Sequence, residues 1–149
     1  LGTMDGANVE IHEAVGEDNA YVFGAGEEEL PELRKRYNPR EAYETVPGLK
    51  RVLDSFVNGV LDDGGSGDFY DLLTSLLDGS SWEDADVYYL LGDFADYRDV
   101  RDRMAEDYKD QDKWAKMCWV NIVKSGRFSS DRTINDYAQQ VWKIEPAAI

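Results

Sequence analysis

Between Leu49 and Val60 the apolar residues Leu49, Val52, Leu53, Phe56, Val57 and Val60 fall at i, i+3, i+4, i+7, i+8 and i+11, and Phe69, Leu72, Leu73, Leu76 and Leu77 repeat the first five positions. This is the period of a helix that buries one side, so the two stretches predict two amphipathic helices. The same spacing recurs on shorter faces. Leu30, Leu33 and Tyr37 share one, Tyr97, Val100, Met104 and Tyr108 another, and Trp114, Cys118 and Ile122 a third. A last face, Ile134, Tyr137, Ala138, Val141 and Trp142, precedes Pro146, where the helix is expected to stop.

Strand signals are fewer. Val87-Tyr88-Tyr89-Leu90-Leu91 is a continuous apolar run closed by Gly92, the pattern of a strand buried on both faces of a parallel sheet. Leu1 to Asp5 reads as the end of a strand, followed by a Gly6 turn and a helix from Asn8 toward Val15 with Asn8 as its cap. Tyr21-Val22-Phe23 reads as a second short strand. Asn38-Pro39 is an N-cap followed by Pro at the first helical position, and Ser130 or Asp131 is placed to cap the last helix. Short strands between long helices give an α/β fold with a dominant helical share.

A chain of 149 residues is one domain in size and, if globular, buries roughly 70% of its unfolded surface. Its apolar runs are far shorter than a membrane span. The formal charge of −15 disfavours nucleic acid and anionic lipid as partners. The acids, among them Glu27-Glu28-Glu29, Asp62-Asp63, Asp84 and Asp86, are spread over expected helix surfaces and loops, where they serve solubility. No charged segment followed by an apolar one marks a secretory signal, and a first residue other than Met suggests a cut chain. Cys118 has no partner for an intramolecular disulfide, which fits a reducing cytoplasm, and its apolar neighbours predict a buried thiol.

Chemistry-bearing patterns are sparse. Strand, Gly turn and helix from Met4 to Ile11 have the geometry of a ligand site, because exposed amides at a helix start attract anions. Asp5 in that turn would repel a phosphate, so Asp5 and Asn8 are read as orienting neighbouring backbone or a basic residue elsewhere. The plain alternative is a tight turn with a helix cap. Asp62-Asp63-Gly64-Gly65-Ser66-Gly67-Asp68 resembles a calcium loop, yet Gly64 occupies a ligand position and Leu73 stands where the closing Glu belongs. It reads as a loop with Asp68 as the next helix cap. His12 is the sole histidine and is expected to be exposed, which leaves no His pair for a metal. No catalytic, cofactor-binding or metal residue is assigned.

Gly2-Thr3-Met4-Asp5-Gly6-Ala7-Asn8-Val9-Glu10-Ile11 and Ser125-Gly126-Arg127-Phe128-Ser129-Ser130-Asp131-Arg132-Thr133-Ile134 together resemble the last portion of an α-glucan phosphorylase, whose usual form has Leu in place of Met4. The resemblance continues through Asn19 to Gly24, Lys35 to Glu41, Gly92 to Tyr97 and Tyr137 to Pro146, and is weakest from about Asn58 to Asp86. It therefore spans nearly the whole chain.

The resemblance implies that residues 1–149 are one fragment of the C-terminal, cofactor-binding domain, in the C-terminal part of the second Rossmann-like domain of a two-domain (GT-B-type) glycosyltransferase. It implies a parent that carries pyridoxal phosphate on an upstream lysine, splits α-1,4-glucan with inorganic phosphate and releases glucose 1-phosphate. The parent is expected to be a cytoplasmic homodimer, with this chain packing on its own N-terminal domain through the last helix. No cofactor is expected on the fragment, which should be inactive. Through an exposed stripe around Val141 and Trp142 the isolated chain should then self-associate or bind its missing partner weakly. A stand-alone noncatalytic carbohydrate-binding or interaction module is the alternative, and a nucleotide-sugar transferase of related fold ranks last.

Overall fold

The computed structural model describes residues 1–145, which fold into eight α-helices: α1 (Gly6–Val15), α2 (Leu30–Arg36), α3 (Pro39–Thr45), α4 (Leu49–Asp54), α5 (Asp68–Leu77), α6 (Leu90–Asp107), α7 (Gln111–Lys124) and α8 (Ser130–Asp136). A π-helical turn, Tyr137–Trp142, extends α8. The dominant helical share is as expected. The Pro146 stop lies outside the described residues.

The expected sheet is almost absent among the described residues. The segments Leu1–Asp5 and Tyr21–Phe23 meet in a single parallel bridge, Gly2 to Val22. There the Gly2 N–H donates to the Tyr21 carbonyl (3.0 Å) and the Phe23 N–H to the Gly2 carbonyl (3.1 Å). The Val87–Leu91 run is not a strand. Residues 85–88 form a turn, Tyr89 takes the cap position and Leu90 already opens α6. A continuous apolar run identifies a buried strand only where a neighbour takes its backbone groups. Here the Asp86 carboxylate accepts the N–H groups of Leu90 and Leu91, each at 2.9 Å, and so starts a helix instead.

α6 is the spine. Near its start Leu91 and Phe94 join a cluster whose buried members are Ala42, Leu49, Leu53 and Leu91, with Leu73, Leu76 and Leu77 of α5 packed against it. Further along, Val100 and Met104 join a second cluster around Tyr21 and Met117. Leu49, only 1% exposed, is the best buried side chain; burying a leucine stabilises by about 1.5–3 kcal/mol.

Several boundaries depart from the periodic reading for local reasons. α4 ends at Asp54, not Val60. Ser55 Oγ donates back to the Val52 carbonyl and the chain turns at Asn58-Gly59, leaving Val57 and Val60 exposed. α1 begins at Gly6 with Asp5 at its N-cap position, so Asn8 lies inside the helix and caps nothing. Gly67, not Asp68, occupies the cap position of α5, and Ser129, not Ser130 or Asp131, caps α8 by accepting the Arg132 N–H. Asn38 caps α3 as expected, accepting from Arg40 and Glu41.

α7 is turned by one residue from its expected face. Met117 is buried beside Trp114, whereas Cys118 is exposed, so the thiol expected to be buried is not. Ile122 is exposed as well. Asn121 explains the turn. Its side-chain amide donates to the Asn19 carbonyl (2.8 Å) across the contact with the Glu17–Asn19 turn, which fixes the 114-117-121 face inward. His12, expected to be exposed, is half-buried.

The molecule exposes 11099 Å² of surface, where a compact globule of 16.9 kDa exposes about 7,700 Å². Some of that exposed surface is apolar and lies at the C-terminal end. Ile134, Tyr137, Val141, Trp142 and Ile144 are all half-exposed or more, and among the described residues α8 makes its main contacts with the turns flanking it.

Candidate functional site

The turn singled out in the sequence does border a cavity. A cleft of about 380 Å³ lies between the start of α1, the 24–27 segment and the start of α6, with Asp5, Gly6, Ala25, Glu27, Tyr88, Tyr89 and Asp93 on its walls. Gly6 enters α1 at φ +48°, a conformation that favours glycine. Asp5 Oδ1 accepts the Thr3 hydroxyl (3.1 Å), and the Asp5 carbonyl accepts the Asn8 N–H (3.0 Å). Asn8 instead packs its side chain on Gly2, where an added Cβ would come within 2.8 Å of the amide nitrogen. Both residues therefore order local backbone.

The opposite wall is set by carboxylates of α6. Asp96 accepts the Gly24 N–H (2.7 Å) and Asp93 accepts the Ala25 N–H (3.2 Å), so one helix turn grips the 24–25 segment. Gly24 makes this approach possible. Its φ is +83°, and a Cβ there would sit 2.5 Å from Asp93 Oδ2. Burial raises the Asp93 carboxyl above its usual range; the Ala25 N–H opposes that shift, and the charges of Asp96 and Asp86 add to it.

Behind Asp93 sits Asp86, placed by the sequence reading among solvated surface acids but in fact 5% exposed. Its carboxylate accepts from Leu90, Leu91 and the Tyr37 hydroxyl, and the Tyr37 oxygen in turn accepts the Gly92 N–H (3.2 Å). Burial and then the Asp86 hydrogen bond push the Tyr37 phenol well above the usual tyrosine range. Asp86 has a φ of +44° and Tyr89 of +60°, and Tyr89 Oη accepts from Arg34 Nε (3.2 Å). The strained turn thus holds Tyr88 and Tyr89 at the cleft. Sequence signals for it were thin. Asp86 carries no mark in composition, and Asp93 and Asp96 stand out only within Gly92–Tyr97.

A second network lies at the other end of α6. Tyr21 donates to Asp107 Oδ2 (2.7 Å), and Lys113 Nζ reaches Asp107 Oδ1 (2.6 Å). Burial and the Asp107 bond push the Tyr21 phenol up to about 12. Lys113, then Tyr21, hold the Asp107 carboxyl below its usual range. The groove beside it, of about 640 Å³, mixes these paired charges with Glu17, Asp18, Asp110 and Lys116.

The acidic loop before α5 turns inward to its own backbone. Asp63 accepts the N–H groups of Gly65, Gly67 and Phe69 at 2.9, 3.0 and 3.3 Å. Those bonds, that of Phe69 first, hold its carboxyl low. No group of three metal-ligating side chains converges among the described residues. No helix among them is long and apolar enough to cross a membrane.

Residues 1–144 match the Phosphorylase family, the carbohydrate phosphorylases. The chain belongs to that family. It is 40% identical over 150 residues to a glycogen phosphorylase of Synechocystis sp., covering 100% of this chain and 17% of that protein. With the chloroplastic/amyloplastic α-1,4 glucan phosphorylase L-2 isozyme of Solanum tuberosum it shares 42% over 155 residues, covering 100% and 15%. With the muscle glycogen phosphorylase of Rattus norvegicus it shares 36% over 148 residues, covering 99% and 17%. The phosphorylase segment in hand thus spans about a sixth of the length of these relatives.

Proposed function

We propose that residues 1–149 are the C-terminal portion of an α-1,4-glucan phosphorylase, an enzyme that uses inorganic phosphate to release glucose 1-phosphate from glycogen or maltodextrin. The observation that carries this reading is the match of residues 1–144 to the carbohydrate phosphorylase family. Relatives from a cyanobacterium, a plant and a mammal, all named as phosphorylases of glycogen or α-glucan, align over essentially the whole chain.

The placement within the parent follows the same reading. The parallel bridge between Gly2 and Val22, with α1 between its two segments, is the remnant of a strand-helix-strand unit. Such a unit belongs to the second Rossmann-like domain of a GT-B-type glycosyltransferase. The excess exposed surface and the unpacked face of α8 are then covered by the rest of that domain and by the N-terminal domain. The complete enzyme is a cytoplasmic homodimer carrying pyridoxal phosphate.

The cleft at α1 does not fit that cofactor. Its walls carry Asp5, Glu27 and Asp93 and no Lys or Arg, and carboxylates repel a phosphate dianion. No step of the reaction is therefore assigned to these residues. Their part is to order backbone at the edge of the cofactor domain, Asp5 through Thr3 and the start of α1, Asp93 and Asp96 through Gly24 and Ala25.

The test compares the complete protein encoded around this chain with the chain alone, each incubated with maltodextrin and inorganic phosphate. Glucose 1-phosphate is expected from the complete protein only. A complete protein that binds maltodextrin yet forms no sugar phosphate overturns the reading. The noncatalytic alternative draws on Trp82, Tyr88 and Tyr70, which are 90%, 77% and 65% exposed. Retardation of the chain alone in a glucan-containing gel would favour it.

A further inference from the structure

Asn58 and Gly59 are the only Asn-Gly pair in the chain. They lie at the turn that ends α4 early, where both are exposed. Three local features bear on their chemistry. Gly59 is exposed and sits at φ +84° with nothing within 4 Å of where a Cβ would stand, so no side chain crowds the turn on that side. The Gly59 N–H donates to no group among the described residues, whereas the neighbouring N–H groups of Asn58 and Leu61 are taken by the carbonyls of Asp54 and Ser55. Most tellingly, Asn58 Oδ1 accepts the Val60 N–H at 3.1 Å. A side-chain carbonyl bonded to the amide two residues ahead folds its carbon back toward the peptide nitrogen between them. The same bond polarises that carbonyl in the sense that helps a nucleophile attack it.

We propose that Asn58 is a site of spontaneous deamidation favoured by the native fold. The Gly59 nitrogen gives up its proton and attacks Asn58 Cγ. The new N–Cγ bond replaces the Cγ–Nδ2 bond, and Nδ2 leaves as ammonia. Water then opens the cyclic imide at one of its two carbonyls. Opening at the side-chain carbonyl gives Asp, and opening at the main-chain carbonyl gives isoaspartate with the backbone routed through Cβ. Ammonia out and water in balance the change, and no oxidant or enzyme is needed.

The other acid-glycine pairs are held differently. Asp63 before Gly64 spends its carboxylate on three backbone N–H groups, and Asp78 before Gly79 is bound by Arg40. Asp5 before Gly6 is tied to Thr3 and to the start of α1. Asn58 is exposed and lies outside both apolar clusters, so the acid product buries no charge. The fold therefore tolerates it.

Tryptic digestion supplies a clean readout, because the peptide from Val52 to Arg98 contains Asn58 as its only side-chain amide. The chain is aged at mildly alkaline pH, folded and in parallel in concentrated urea, then digested and weighed. The expected result is conversion of this peptide to the acid form, faster in the folded chain than in urea and ahead of the peptides holding Asn8, Asn19, Asn38, Asn121 and Asn135. Part of the product should accept a methyl group from an isoaspartyl methyltransferase. Gly59→Ala should slow conversion severalfold, and Asn58→Gln should abolish it, with circular dichroism reporting that each variant remains helical. Conversion that is slower in the folded chain than in urea overturns the proposal, as does a folded peptide that stays amidated while Asn135 is lost.

Discussion

Tyr37 and Asp86, 49 positions apart in sequence, share a hydrogen bond that joins the end of α2 to the start of α6. The phenol is the hinge of a short chain of bonds, taking the Gly92 N–H and giving its own proton to a carboxylate that already caps Leu90 and Leu91. One buried acid therefore decides where the longest helix begins, and so where Asp93 and Asp96 meet the 24–25 segment.

Tyr37→Phe keeps the ring and its edge-on contact with Tyr89 but removes the partner that the Gly92 N–H has among the described residues and one donor to Asp86. A loss of about 1–3 kcal/mol is expected. Urea unfolding followed by circular dichroism measures it, and an unchanged midpoint would show that water replaces the phenol at no cost.

Stability should also fall at high pH through Tyr21. Its ordinary value of 10.0 is pushed up to about 12 in the folded chain. The folded state thus keeps a proton that the unfolded state releases. The contribution is whole below about pH 10 and is lost as pH rises toward about 12. Tyr21→Phe should flatten that part of the stability profile, read by thermal melts across the alkaline range.

Gly24 and Gly16 both sit at φ above +80°, yet only Gly24 has a neighbour in the way, Asp93 Oδ2. Alanine at either position meets a backbone cost of about 1–3 kcal/mol. Gly24→Ala must also displace Asp93 from the Ala25 N–H, a further loss of about 1 kcal/mol. Equal destabilisation of the two variants would mean that the grip on the 24–25 segment is loose.

Asp5→Asn is expected to alter stability by less than about 0.5 kcal/mol, as befits an exposed site. In the complete enzyme it should lower turnover if the Asp5 turn steadies the cofactor domain. Unchanged stability together with unchanged turnover would remove any functional part for Asp5.

The unpacked face of α8 and the turn after it should make the isolated chain associate as concentration rises, and Val141→Asp should suppress that association. Sedimentation at increasing concentration reads both. A wild-type chain that stays monomeric, with Trp142 fluorescence already that of a buried indole, contradicts the expectation.

The sequence by itself determined α3, where Asn38-Pro39 marks the start, and α5 over Asp68–Leu77, where the apolar period alone is strong enough to mark the helix. It also determined the family, because two decapeptides near opposite ends of the chain are more specific than any single motif. Tertiary structure decided the rest. The run Val87–Leu91 has the composition of a buried strand, but strand backbone needs a neighbour and helix backbone does not, so the Asp86 carboxylate tips it to helix. α7 turned Cys118 outward because Asn121 found the Asn19 carbonyl more than a hundred positions away. Asp86 and Asp93 resemble every other acid in a chain that has 31. Only burial distinguishes them, and burial depends on which distant segments pack together, which local sequence does not encode.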